Sequence, residues 1–162
     1  MRRVHVKRKR AEAILSEAAK RKLTSSVQKV ERAEIIGGDT LSLFVVNDEP
    51  LILFDDDEGI YVPFIASVGK FVFCPSVVVD MGAVPYVVNG ADVMAPGIVS
   101  CGEFERGDIV CVKTERHERV IATGYSMMSS GEIRSIKKGK AVKNVHYVGD
   151  RYWKLAKDIF HL

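Results

Sequence analysis

VPYVVNGADVMAPGIV, residues 84–99, breaks an apolar run twice. Asn89-Gly90 interrupts it, Ala91-Asp92-Val93-Met94-Ala95 resumes it, and Pro96-Gly97 stops it. Two glycines and a proline around so short a segment read as one small helical turn set into strand-like chain. Apart from Asp92, the stretch holds no acid, base or nucleophile. Gly90 has no Cβ, so backbone there can approach a ligand closely. A turn over residues 91–95 presents backbone N–H groups at its start, a setting that favours an anion such as phosphate. Met94, Ala95 and Pro96 then offer an apolar patch for a ribose or base. The alternative reading is that Gly90 and Gly97 only permit tight turns on a barrel.

The chain around this stretch is punctuated at short intervals. SVVVD, PYVV, DIVCVKT, RVIATGYSM and VHYV are apolar, β-branched segments separated by turn residues. That rhythm predicts a small, partly closed β-barrel. A second helical interruption is expected in SSGEIRSIKKG, where Ser129 and Glu132 fit a capping box and Gly139 a helix stop. Arg134, Lys137 and Lys138 project from that helix end, and Lys140 and Lys143 follow. A barrel that carries this cluster beside residues 84–99 makes one phosphate-tracking groove. Otherwise the cluster is a solubilising basic face.

Upstream, RAEAILSEAAKRKL (10–23) places Ile14, Leu15 and Ala18 on one face, extended by Ala11 and Leu23, as in an amphipathic helix. VQKVERAEIIGGDTLSLFVVNDEPLILF reads as three strands, with turns at Gly37-Gly38-Asp39 and Asn47-Asp48-Glu49-Pro50. Asp55 to Gly59 is an acidic loop, and IYVPFIA continues into a strand or short helix. The acids lack the spacing of a calcium loop, so they read as solvated or partner-facing charge. A boundary falls near Cys74-Pro75-Ser76, giving domains 1–75 and 76–162.

The 162 residues carry a net charge of +3 that hides strong segregation. Residues 1–32 hold eleven Lys/Arg against three Glu, and residues 33–78 hold one Lys against eight acids. Separate faces with separate partners are expected, and a basic N-terminal arm suits a phosphate backbone. Cys74, Cys101 and Cys111 form no CxxC and no metal spacing with histidine, and read as buried reduced thiols of a cytoplasmic protein. The longest apolar runs are about half of a bilayer span. No nucleotide fingerprint is present, and neither the four scattered histidines nor Asp80 with Asp92 compose an active site. No cofactor, metal or membrane is implied.

VDMGAVPYVVNGADVMAPGIV (79–99) resembles the signature of the PUA domain, an RNA-binding module. SMMSSGEIRSIKKGKAVKNVHYVGDRYW (126–153) is similar to that domain's C-terminal half. With VNDEPLILF, Tyr61-Val62-Pro63 and KGKAVKNVHYVGDRYW, the resemblance narrows to the malignant-T-cell-amplified-sequence, or translation machinery-associated, proteins in a short archaeal-like form. The N-terminal half of ligatin-type initiation factors is similar too. The resemblance runs from about residue 28 to the end. It implies an α+β chain: a small N-terminal α/β pre-PUA domain followed by a mainly-β PUA pseudobarrel. It implies non-catalytic RNA binding in translation initiation or ribosome recycling, with tRNA or ribosomal RNA as ligand. The small ribosomal subunit and a translation factor are the implied partners. Carried over, Gly90, Ala91, Met94, Ala95, Pro96 and Gly97 form the RNA-gripping turn, Asp80 and Gly82 the strand leading to it, and the basic tail of Lys137, Lys138, Lys140 and Lys143 its flank, to which the reading of the residues adds Arg134. The rival readings are an adaptor that docks a translation factor through the acidic pre-PUA face, and an RNA-binding subunit of an RNA-modification complex.

Overall fold

The computed structural model describes residues 2–162. It is mixed α+β, with strands dominant. The N-terminal part runs β1 (Arg2–His5), α1 (Arg8–Lys20), β2 (Thr24–Ser25), β3 (Ala33–Gly37), β4 (Ser42–Val46), β5 (Glu49–Asp55) and β6 (Ile60–Pro63). After a 3-10 turn at Ile65–Ser67 comes β7 (Val72–Phe73), which pairs with β2. The other five strands form an antiparallel sheet in the order β1-β3-β4-β5-β6.

Both faces of this sheet are buried, which explains why Leu43-Phe44-Val45-Val46 is continuously apolar rather than alternating. Phe44 and Val46 pack toward Ala11, Ile14 and Ala18 of α1. Leu43 and Val45 point to the opposite side. The β4–β5 turn places Asn47 and Asp48 at positive φ, as a two-residue hairpin of right-handed twist requires. Pro50, expected within that turn, lies in β5 at a register shift, a position where its missing N–H is tolerated.

The basic N-terminus departs from expectation. Arg2–His5 is not a free arm but an edge strand on β3, and Arg3 binds Glu34. The acidic segment is similarly occupied. Arg10 pairs with Asp56, Arg32 with Asp48, and Arg151 with Asp39. Asp55 accepts the backbone N–H groups of Asp57 and Glu58. Charges segregated along the sequence are interleaved in the fold.

The second part runs β8 (Ser76–Val79), α2 (Val84–Val87), β9 (Val93–Met94), β10 (Ile98–Cys101), β11 (Ile109–Thr114), β12 (Val120–Ser126), α3 (Ser130–Ile136) and β13 (Lys140–Tyr147). Its six strands curl into a nearly closed pseudobarrel in the order β10-β8-β11-β12-β13-β9. The β8–β11 pair is parallel. Val77, Val79, Val110, Val112, Ala122 and Val142 fill the interior, with Val87 of α2 and Ile133 of α3 as lids.

Three sequence expectations change here. PYVV is helical, because Pro85 sits in the first turn, where a missing N–H costs nothing. Residues 91–95 are not a helical turn, because Val93–Met94 is drawn into pairing with β13. The α3 capping box forms between Ser129 and Glu132, but the helix stops at Lys137, which has φ +55°, before Gly139.

An unexpected helix, α4 (Arg151–Phe160), ends the chain. Its Tyr152 and Ala156 cover Ile36, Leu43, Val45 and Leu53 on the outer face of the first sheet, which is thus sandwiched between α1 and α4. Direct bonds also join the two parts. The Tyr61 N–H donates to Tyr125 Oη at 2.7 Å, and Thr123 Oγ1 donates to the Pro63 carbonyl at 2.9 Å. No helix among the described residues is long and apolar enough to cross a membrane.

Candidate nucleic-acid interface

Residues 80–97 form one connected surface at the rim of the pseudobarrel. Asp80 Oδ1 accepts the Ala83 N–H at 2.9 Å and so sets the start of α2. The Asp80 N–H donates to the Gly97 carbonyl at 2.9 Å. Gly82 lies between these groups; a Cβ there would sit 3.3 Å from the Asp80 carboxylate. Gly90, at φ +97°, turns the chain out of α2, and its open side faces the Tyr147 ring.

The backbone N–H groups of Gly90, Ala91 and Ala95 are all used inside the chain, by Val87, Tyr86 and Gly139 carbonyls respectively. The expected helical cradle at residues 91–95 does not form, because β9 replaces the helical turn. Positive charge at this rim comes from side chains instead.

Those side chains are in place. Lys140 stands opposite Met94 in the β13–β9 pairing. Lys140 and Lys143 reach to 3.6 and 3.9 Å from the Asp92 carboxylate, itself mostly buried and accepting the Asn144 N–H at 2.9 Å. Asn144 Nδ2 also donates to the Val87 and Ala91 carbonyls, both at 3.0 Å, so one side chain ties α2 and the following turn to β13. The basic cluster and the 84–99 stretch are thus neighbours.

The 3-10 turn Ala95–Gly97 forms a ridge between two hollows. One, of about 400 Å³, lies between α2 and β9 and is lined by Tyr86, Ala91, Asp92, Met94 and Lys140. The other, of about 520 Å³, lies between β10 and α3 and is lined by Pro96, Val99, Ile133, Arg134 and Lys137. Arg134 is anchored there by the Cys101 carbonyl at 2.9 Å and by Glu103. Behind it, Arg106 grips Glu132 and holds that carboxyl down at about 2. Lys138 is exposed and lines neither hollow.

Two residues absent from the sequence-based set belong to this surface. Tyr86 is 69% exposed and walls the first hollow. Asn144 organises that hollow from below. Tyr86 was hidden inside an apolar segment that read as a strand. Nothing in the sequence marks Asn144, whose partners are brought to it by the β9–β13 pairing. The β11–β12 hairpin tip lies at the same end of β8, where the Glu115 N–H meets the Val79 carbonyl, but its Arg116 and Arg119 are balanced by Glu115 and Glu118.

Comparison with known proteins agrees with this architecture. The PUA domain model matches residues 75–148. An uncharacterized protein of Methanocaldococcus jannaschii is 39% identical over 129 residues, which cover 78% of each chain. Translation machinery-associated protein 20 of Saccharomyces cerevisiae is 36% identical over 123 residues, covering 71% of this chain and 67% of the relative. Among solved structures, a hypothetical protein from Pyrococcus horikoshii superposes with a TM-score of 0.80 at 29% identity, over 96% of this chain and 99% of the other.

Proposed function

This chain belongs to the PUA-domain family that includes translation machinery-associated protein 20, and from that premise we propose that it is a non-catalytic RNA-binding protein of the cytoplasmic translation machinery. Residues 76–162 are its RNA-facing domain, and residues 1–75 are the platform on which that domain stands. The ligand is tRNA or ribosomal RNA, met at the ridge of Ala95–Gly97 with Met94 beside it.

The observation that supports this reading is the placement of the cations. Lys140 and Lys143 lie on one side of the ridge, Arg134 and Lys137 on the other. A ridge with cations on both flanks suits a polyanion that crosses it, and RNA affinity is largely such an electrostatic effect. Recognition by shape and by unpaired nucleotides, rather than by a duplex groove, suits a surface of hollows. The acidic segment offers less to a partner than its sequence promised, because Asp39, Asp48 and Asp56 each face an arginine of the same chain.

Filter binding to intact tRNA, to tRNA trimmed at its 3′ end, and to small ribosomal subunits, each at low and high salt, tests the proposal. Binding to at least one of these, weakened by salt, is expected. Loss on trimming assigns the ridge to an RNA end; binding to the subunit alone assigns it to ribosomal RNA. No binding to any of the three at low salt contradicts the proposal.

A further inference from the structure

We infer that Cys74 and Cys111 are a paired thiol site that a peroxide oxidises to an intramolecular disulfide at the junction of the two parts. Neither sulfur lines either hollow of the RNA-facing rim.

Strand alternation sets the site. Val110 and Val112 of β11 point into the pseudobarrel, so Ile109 and Cys111 point out of it. Ile109 is buried in the core that α1 shares with the first sheet. Cys111 therefore faces the first part and is only 1% exposed. Ser76 of β8 stands on one side of it and Thr123 of β12 on the other. Thr123 crosses the same junction to the Pro63 carbonyl. The Cys111 N–H donates to the Pro75 carbonyl at 2.9 Å, which brings the preceding residue, Cys74, alongside. Cys74 packs against the same core as Ile109 and stays partly open to solvent. Its thiol donates a hydrogen bond to the Cys111 sulfur.

A buried cysteine that stays protonated is inert and packs as a small apolar side chain. This pair differs because its two protons are not equivalent. The bond between the sulfurs, and then burial, push the Cys74 thiol up. The same bond, against burial, brings the Cys111 thiol down, and the charge of Lys113 adds to it. Cys111 is thus a ready nucleophile lying against a second sulfur that solvent reaches. Cys101 packs against the barrel interior, opposite Val77, and takes no part.

The partial opening at Cys74 admits a small two-electron oxidant, of which hydrogen peroxide is the simplest. Cys74 Sγ attacks the peroxide; an S–O bond forms, the O–O bond breaks, and hydroxide leaves as water with the Cys74 proton. Cys74 is then a sulfenic acid. Cys111 Sγ attacks that sulfur; the S–S bond forms, the S–O bond breaks, and a second water leaves with the Cys111 proton. Two thiols and one peroxide give one disulfide and two waters. The loop so closed, residues 74–111, carries the whole rim from Asp80 to Gly97.

The test uses the full chain with Cys101→Ser, so that only the two thiols of the pair remain. The folded protein is treated with stoichiometric hydrogen peroxide, then unfolded in excess N-ethylmaleimide and digested with trypsin for mass spectrometry. The untreated chain should take two maleimides. The treated chain should take none, run as a monomer on a non-reducing gel, yield peptides 71–106 and 107–113 joined by a disulfide, and regain both thiols with dithiothreitol. With Cys111→Ser added, oxidation should stop at the sulfenic acid on Cys74, trapped as one dimedone adduct; circular dichroism checks that this variant is folded. Both maleimides retained after peroxide, thiols lost without joined peptides, or peptides joined only between chains overturns the inference. A folded Cys111→Ser variant with no adduct on Cys74 overturns its role as the sulfur attacked first.

Discussion

A left-handed backbone and the neighbouring Tyr147 ring together make position 90 a glycine. A Cβ there would lie 3.2 Å from the ring, at a backbone φ of +97° that side chains rarely adopt. Gly124 is constrained more severely. It sits at a register shift between β12 and β13, and a Cβ would run into the Lys143 carbonyl, which is backbone and has nowhere to go. Gly90→Ala is therefore expected to lose about 1–3 kcal/mol, and Gly124→Ala more, on the order of 4 kcal/mol or failure to fold. Urea denaturation of both variants checks the order; equal, small losses would contradict it. The sequence marked Gly90 as special because glycine between apolar runs signals a need for the missing Cβ. It could not say what takes the space. The reading from sequence left that space open to a ligand or to a tight turn alone; in the fold an aromatic ring from a distant strand lies against it.

Asp150 shows how one residue secures an element. Its Oδ1 accepts the Trp153 N–H at 2.8 Å and caps α4. Its Oδ2 accepts the Tyr147 N–H at 2.9 Å and meets His146 Nδ1 at 2.7 Å. His146 is fully buried, stacked on Phe64, which in turn stacks on Trp153. Burial pushes the Asp150 carboxyl up, but its bonds to His146, Trp153 and Tyr147 together hold it below the usual range. A carboxyl depressed in the folded state binds fewer protons there than in the unfolded chain. Its stabilisation is thus present above the unfolded value of about 4 and is lost as pH falls through the folded one. Glu132, held at about 2 chiefly by Arg106, acts in the same direction. Stability should fall from about pH 4 toward pH 2, and Asp150→Ala, which orphans three donors, should cost about 2–4 kcal/mol at neutral pH. In that variant the loss below pH 4 should be shallower; an unchanged acid profile would show that Asp150 is not a contributor.

Elements were legible where their signal was local. The stripe of α1 and the capping box of α3 needed only neighbours in sequence, and both formed. The exchange of α2 for β9 was not local. VPYVV is β-branched and looks like strand, yet Pro85 starts a helix; Val93–Met94 looks like turn, yet β13 captures it. The helix α4 was missed: its cap at Asp150 is local, but its apolar face of Tyr152, Ala156 and Ile159 gains a partner only once the first sheet is built.

At the scale of the whole molecule, charge decides what the surface can meet. The basic and acidic blocks of the sequence pair with each other in the fold, through Arg3–Glu34, Arg10–Asp56 and Arg32–Asp48. The exposed pairs Arg10–Asp56 and Arg32–Asp48 add little to stability, about 0–1 kcal/mol each, but they neutralise part of the charge around the first sheet. Lys137 and Lys138 form no ion pair among the described residues, and although Arg134 pairs with Glu103 and Lys140 and Lys143 share the one Asp92 carboxylate, the cluster keeps more cations than acids. The sequence disclosed the cluster and the ridge separately; the strand pairing that joins them emerged only in three dimensions.

The most direct measurement is the affinity for the RNA the chain retains best on a filter, titrated with salt, for the parent and for Lys137→Glu combined with Lys138→Glu. The account predicts weaker binding and a shallower dependence of log affinity on log salt, by about 0.7–0.9 for each phosphate contact removed. The same affinity and the same slope in both proteins would contradict it, and would remove the basic flank of the ridge from the RNA-binding surface.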